Sequence, residues 1–119
     1  MHRALVYVAF GWLTFGGMMH FLIDVISQYV RGKRAPGPET TLYYGLNTSF
    51  ALGQVAFGLI CLWLAWHAPA ILDGRPVMAL AFVAAAAWLA ITSLFMGYWE
   101  PKLNTGIFAV LLIAAALTI

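Results

Sequence analysis

The sequence predicts an all-α polytopic membrane protein: one domain, residues 1–119, in which four transmembrane helices form a bundle with short loops. Its residues are 64% hydrophobic and only 8% charged, about a third of the charged fraction usual in soluble domains. The apolar residues gather in four stretches, each close to the roughly 20 residues that a helix needs to cross a bilayer. These stretches are continuously apolar, which excludes the alternating pattern of a membrane β-barrel.

Composition and charge also exclude several classes of function. A disordered tail would need low hydrophobicity and high charge. The net charge of +2 is not gathered into a basic face, so nucleic acid is not an expected partner. Cys61 is the only cysteine, which excludes an intrachain disulfide. No His/Cys cluster has the spacing of a zinc or di-iron site, and we therefore expect neither a metal nor a cofactor.

The first span is predicted from about Ala4 to Ser27. It runs well past the core of a signal peptide, about 7 to 15 residues long, and no small-residue cleavage site follows it. We therefore expect it to remain in the mature protein. The connection from Arg31 to Pro38 is basic and contains two prolines, which bar a continuous helix. We call residues 31–38 the basic elbow.

The second span is predicted from about Thr41 to Ala68, with Glu39 and Thr40 supplying a negative charge and a capping hydroxyl at its start. Residues 73–76, Asp-Gly-Arg-Pro, have the composition of a tight turn. Spans two and three, the latter from about Val77 to Tyr98, should therefore be antiparallel neighbours.

The fourth span is the shortest and is predicted from Pro101 to Ile119. Proline is favoured at the first position of a helix, so starting there lets the span approach the thickness of the bilayer. Aromatic residues flank the spans where membrane interfaces are expected. They are Tyr43, Tyr44, Trp63, Trp66, Tyr98 and Trp99.

The distribution of Lys and Arg predicts the orientation. Arg31, Lys33, Arg34 and Lys102 lie on the side of the first and third connections, and Arg3 and Arg75 lie on the other side. The positive-inside rule then places connections one and three in the cytoplasm. We expect the protein to lie in the inner (plasma) membrane of the cell. Membrane lipids are therefore its expected surroundings and partners.

Small residues predict how the helices associate. Lipid tails are as apolar as leucine, so close packing and polar contacts must hold the bundle together. Gly45, Ser49 and Gly53 recur every four residues, and we expect this stripe to face another helix. The sequence also leaves open whether the protein forms a homo-oligomer or is part of a larger membrane complex.

Polar side chains at membrane depth concentrate at the end of the bundle that bears the basic elbow. His20 and Asp24 are four residues apart, so the carboxylate can orient the imidazole on one helix face. Span two runs in the opposite direction, which brings Asn47 to the same depth, and Glu100 enters span four at the rim. The sequence thus predicts a small polar cavity on the elbow side.

Catalytic candidates in this cavity are His20, Asp24 and Glu100. The candidates for ligand binding are Asn47, Gln54, Tyr43 and Tyr98. A purely structural interpretation stays open for most of them. Asn47 and Gln54 could simply hydrogen-bond across helices, the His20–Asp24 pair could sit at the headgroup boundary, and the tyrosines could mark membrane depth.

Two segments carry a resemblance to a family: GGMMH at residues 16–20 and YGLNTSFALGQVAFGL at residues 44–59. The second is similar to the G-aromatic-N-x-S-x-x-L-G-x-x-x-F-G pattern of small, uncharacterised bacterial proteins with four transmembrane helices. Leu46 and Phe50 depart from that pattern, where Phe and His are expected. The resemblance implies a four-helix membrane fold and no particular function.

His20-x-x-x-Asp24 is also similar to the pair in the four-helix core of emopamil-binding-type sterol isomerases. In that family an intramembrane His, followed four residues later by an acid, transfers protons on a lipid. The second acid expected in the next helix is absent here, where Gly53 and Gln54 stand.

Three functions remain in competition. The first is a non-enzymatic membrane protein, either an accessory subunit or a binder of a hydrophobic small molecule. The second is a membrane-embedded enzyme in which His20 and Asp24 transfer protons on a lipid-like substrate. The third is a small multidrug-type transporter, which would need a carboxylate early in span one, whereas Asp24 comes late.

Overall fold

The computed structural model describes residues Met1 to Ile119 and contains helices and no strands, which confirms the predicted all-α class. Its elements are α1 (His2–Phe21), a π-helical segment (Leu22–Ser27), α2 (Gln28–Arg31), α3 (Pro38–His67), α4 (Pro69–Leu72), α5 (Arg75–Phe95) and α6 (Trp99–Leu117). The first three form one continuous span. This span, α3, α5 and α6 are the four helices long and apolar enough to cross a membrane.

The helix ends differ by a few residues from the predicted ones. The first span continues to Arg31 and stops at Gly32, whose φ of +61° is left-handed, a conformation that glycine adopts without strain. Helix α3 begins at Pro38, where the missing N–H needs no partner. Thr40 does not cap α3, because its hydroxyl donates to the carbonyl of Ala35.

Helix α1 lies at the centre of the bundle, packed against α3 on one side and α6 on the other, while α5 packs against α6. The apolar core fills the half of the bundle opposite the basic elbow. Its largest members are Phe10 and Phe108, whose ring centroids are 5.8 Å apart. The polar side chains are therefore left to the elbow half.

The prediction that spans two and three are antiparallel neighbours holds for their direction, but their backbones stay apart. Helices α3 and α5 run in opposite directions, yet no two of their Cα atoms lie within 8 Å. Phe57 and Trp88 fill the space between them, with ring centroids 5.8 Å apart. The short turn fixes the direction of α5, whereas the size of these side chains sets its distance from α3.

The prediction that the stripe of Gly45, Ser49 and Gly53 faces another helix is wrong. All three residues are exposed on the outer side of α3. A Cβ added to Gly45 or Gly53 would meet no atom within 4 Å. Because lipid is as apolar as a helix interface, small residues at this spacing do not reveal which face turns inward.

Helices α1 and α3 instead approach each other at Gly17 and Gly58. A Cβ on Gly17 would lie 3.1 Å from the carbonyl oxygen of Ala51, and one on Gly58 would lie 3.1 Å from that of Phe10. Both distances are shorter than ordinary van der Waals contact. These two glycines therefore allow the backbones of α1 and α3 to approach closely at both positions.

Candidate functional site

The site is built around an ion pair at the junction of α1 and the π-helical segment. His20 lies in the last turn of α1, and Asp24 lies in the π segment, a rare conformation that concentrates at functional sites. Nδ1 of His20 is 2.8 Å from Oδ2 of Asp24. The two residues are only 7% and 8% exposed, so the pair is shielded from its surroundings.

The second nitrogen of His20 bonds to α3. Nε2 is 2.9 Å from Oδ1 of Asn47. The amide nitrogen of Asn47 donates to the backbone oxygen of Tyr43, so the oxygen of the amide faces His20 and Nε2 must be the donor. Nδ1 lies against Oδ2 of Asp24, and one proton between these two atoms satisfies that contact.

Tyr98, in the connection between α5 and α6, holds Asp24 from the other side. Its hydroxyl donates to Oδ2 of Asp24 over 2.8 Å. Burial, reinforced by this hydrogen bond, raises the pKa of Tyr98 above its ordinary value, so the hydroxyl keeps its proton. Oδ2 of Asp24 thus receives donors from Tyr98 and His20, whereas no protein group donates to Oδ1.

A cavity of about 260 Å³ opens beside this network, between α1 and the start of α6. Its apolar wall comes from Met19, Ile23 and Pro101. Met19 and Ile23 are exposed, so the cavity opens on the side of the bundle. Its polar wall comes from His20, Asp24, Tyr98, Glu100 and Asn104.

Asn104 enters the wall because α1 has a glycine opposite it. A Cβ on Gly16 would collide with the side-chain amide of Asn104. The indole nitrogen of Trp12 donates to the backbone oxygen of Asn104 over 3.1 Å, which fixes this turn of α6 against α1. The side-chain amide itself has no hydrogen-bond partner in the protein and lies at the cavity.

The structure brings together most of the residues predicted for the site. His20, Asp24, Glu100 and Tyr98 line the cavity, while Asn47 stands behind His20 as its hydrogen-bond partner. The geometry agrees with the predicted convergence on the elbow side. The catalytic or binding role of each residue stays a prediction.

Tyr43 and Gln54 do not line the cavity. The hydroxyl of Tyr43 accepts a hydrogen bond from Gln28, and the guanidinium of Arg34 lies 3.4 Å from the centroid of its ring. Gln54 is about two turns from Asn47 and is 1% exposed, with no partner for its side-chain oxygen. Neither is in a position to touch a ligand in the cavity.

Asn104 is not among the residues predicted for the site, and the role of Gly16 is not predicted either. The signal was available as spacing, since Gly16, His20 and Asp24 recur every four residues, and so do Glu100 and Asn104. Residues four apart lie on one face of a helix. Only the contact between α1 and α6 shows that these two faces meet.

At the opposite end of the bundle, His2 forms a set of hydrogen bonds with two other parts of the chain. Nε2 of His2 lies 2.8 Å from Oδ1 of Asp73, and its Nδ1 lies 2.9 Å from both the backbone oxygen of Ala115 and the hydroxyl of Thr118. His2 therefore links the start of α1, the turn before α5 and the end of α6. We call these four residues the His2 clasp.

The chain contains no group of three or more His, Cys, Asp or Glu residues placed to hold a metal ion together. Comparison with family models, with curated protein sequences and with solved structures gives no match to this chain.

Proposed function

We propose that this membrane protein binds a hydrophobic ligand that carries a polar group, and that the ligand occupies the cavity between α1 and α6. One observation carries the proposal: polar atoms without protein partners meet an apolar wall in the same cavity. These atoms are Oδ1 of Asp24 and the side-chain amide of Asn104. Neither atom is fully buried, so both are accessible to hydrogen bonds with a polar group of a ligand.

The position of the cavity supports the same proposal. Met19 and Ile23 border it and are exposed on the outer surface of a helix that can span the membrane. An apolar chain can lie along these side chains while its polar group reaches Asp24. Binding sites of this kind combine an apolar lining with a few polar groups that orient the ligand.

Photo-crosslinking in lipid nanodiscs tests the proposal. A long-chain alcohol with a diazirine on its chain should attach mainly to residues around the cavity, as mapped by peptide mass spectrometry. The Ile23→Trp variant fills the mouth and should lose this labelling. Leu22→Trp is the matched control, because Leu22 is equally lipid-facing but lies outside the cavity.

Even labelling of every lipid-facing surface would contradict the proposal. So would labelling at the cavity that survives Ile23→Trp unchanged, since the probe would then lie elsewhere. Circular dichroism of both variants separates a blocked cavity from a failure to fold.

A proton-transfer enzyme is the second candidate, favoured by the hydrogen-bonded chain from Asn47 through His20 and Asp24 to Tyr98. A hydrogen-bonded chain of this kind also fixes side chains in a binding site, so it does not by itself indicate proton transfer. Ligand binding therefore has the better support. Conversion of a bound lipid by the parent protein, abolished in His20→Ala, would favour the enzyme.

We also propose that the basic elbow faces the cytoplasm of a bacterial cell, at its inner membrane. Lys33→Cys should then resist an impermeant thiol reagent in intact cells, whereas Arg75→Cys at the other end should react. Cys61 is 1% exposed, so the native thiol adds little background. Gly32 is a poorer position for a label because of its left-handed backbone. The reverse pattern of labelling would invert the topology.

A further inference from the structure

We infer that the ligand of this cavity carries a cationic head group with several hydrogen-bond donors, such as a primary ammonium. This inference rests on the proposed function and names the chemical class of the ligand. It depends on the net charge of the cavity wall and on which polar atoms in that wall lack partners.

The charge of the wall favours a cation. Glu100 adds a negative charge at the mouth, and the His20–Asp24 pair adds no net positive charge wherever their shared proton lies. The nearby cations are held outside. Arg34 lies over the ring of Tyr43 and donates to Gln28, and Lys102 does not line the cavity. The wall is therefore negative overall.

The hydrogen-bonding pattern points to the same class. Oδ1 of Asp24 is an acceptor without a donor, on a residue that is only 8% exposed. A carboxylate in such a site calls for a donor, and a charged donor bonds it more strongly than a neutral one. An ammonium offers three N–H donors, which Asp24, Glu100 and the carbonyl group of the Asn104 side chain can share. An anionic head would add like charge beside Asp24 and Glu100.

Three crosslinking probes with the same chain and different heads test the inference. In phosphatidylcholine nanodiscs, the ammonium probe should label the cavity at about a tenfold lower concentration than the hydroxyl probe, the gain of one charge-assisted hydrogen bond. A sulfate probe should label it least. The comparison uses the parent protein, so it does not depend on whether any variant folds.

A pair of variants isolates the contribution of the cavity. Glu100→Gln keeps the size of the side chain and removes its charge, so the advantage of the ammonium probe should shrink several-fold. Glu39→Gln removes the same charge from an exposed residue at the start of α3, outside the cavity, and should leave that advantage unchanged. An equal effect of both variants would indicate a general surface charge and would overturn the inference.

The remaining outcomes separate the two proposals. Equal labelling of the cavity by all three heads, or a preference for sulfate, overturns the cationic class and leaves ligand binding intact. No labelling of the cavity by any probe overturns both. Replacing phosphatidylcholine by phosphatidylethanolamine distinguishes the sources of the amine. Reduced labelling by the ammonium probe supports an aminophospholipid headgroup, and unchanged labelling supports a free lipophilic amine.

Discussion

At the scale of single residues, Asp24 depends on Tyr98 as well as on His20. The hydroxyl of Tyr98 crosses from the α5–α6 connection to Oδ2 of Asp24. Tyr98→Phe should therefore lower the free energy of unfolding by about 1–3 kcal/mol, the range for a hydrogen bond to a charged group. Chemical unfolding in detergent, followed by circular dichroism, measures the loss. Tyr44→Phe should change little, because the Tyr44 hydroxyl makes no hydrogen bond in the structure.

The same variant should alter the response to alkaline pH. Because the pKa of Tyr98 is raised in the folded protein, the hydroxyl is the form that folding favours. Its contribution is complete below about pH 10, the ordinary value for tyrosine, and is lost as the pH rises through the higher folded-state pKa. The gap in stability between parent and Tyr98→Phe should close in that range. A gap that stays constant would mean that Tyr98 acts through packing alone.

Because Gly16 has no side chain, the side-chain amide of Asn104 can occupy the space beside it. Gly16→Ala should destabilise the protein by no more than about 0.5–1.5 kcal/mol, because the new methyl group meets only the free end of the Asn104 side chain, which can turn away. The double variant Gly16→Ala/Asn104→Ala should recover most of this loss. Gly11→Ala is the control, since a Cβ there meets nothing within 4 Å. If the double variant does not recover this stability, the loss comes from the backbone of the helix and not from the contact with Asn104.

At the scale of helices, the position of a glycine matters more than its spacing. Gly58→Ala should destabilise the bundle, because its Cβ meets the backbone of Phe10 and Thr14 on α1. Gly53→Ala should be neutral, or stabilising by up to about 1 kcal/mol, since Ala is the better helix former and the position is open. Melting temperatures in detergent compare the two. Equal destabilisation would show that the outer face of α3 is covered in solution.

The helices could be predicted from the sequence because each must be apolar over its whole length to enter a bilayer. The sequence does not reveal which face of each helix contacts another helix and which contacts lipid, because both surroundings are equally apolar. His20 and Asp24 could be placed together because they are four residues apart. Asn47 could be placed at the same depth because spans one and two are antiparallel. The contribution of Asn104 required the contact of α6 with α1, and the π segment has no signature in the sequence.

At the scale of the whole molecule, the His2 clasp joins the two ends of the chain. His2 and Asp73 form a partly buried ion pair, which typically contributes no more than about 1 kcal/mol. A double-mutant cycle with His2→Ala and Asp73→Ala should give a coupling energy of about 0.5–1 kcal/mol in chemical unfolding. Additive effects of the two substitutions would mean that His2 acts only through Ala115 and Thr118.

The spans also differ in length. The first span and α3 have 30 residues each, whereas α5 and α6 have 21 and 19. At 1.5 Å per residue, the longer helices extend to about 45 Å, well beyond the roughly 30 Å of hydrocarbon in a bilayer. The basic elbow therefore projects past the α5–α6 connection, and the cavity lies beneath it.

The cavity opens on the side of the bundle, at Met19 and Ile23, and this sets the route by which the proposed ligand would reach it. A molecule already dissolved in the leaflet reaches the mouth by lateral diffusion in two dimensions. The occupied fraction of the cavity then depends on the mole fraction of ligand in the membrane. Adding water to the sample leaves this fraction unchanged as long as the ratio of ligand to lipid in the membrane stays the same. A site with modest intrinsic affinity is thereby filled by an amphiphile that is scarce in solution but enriched in lipid.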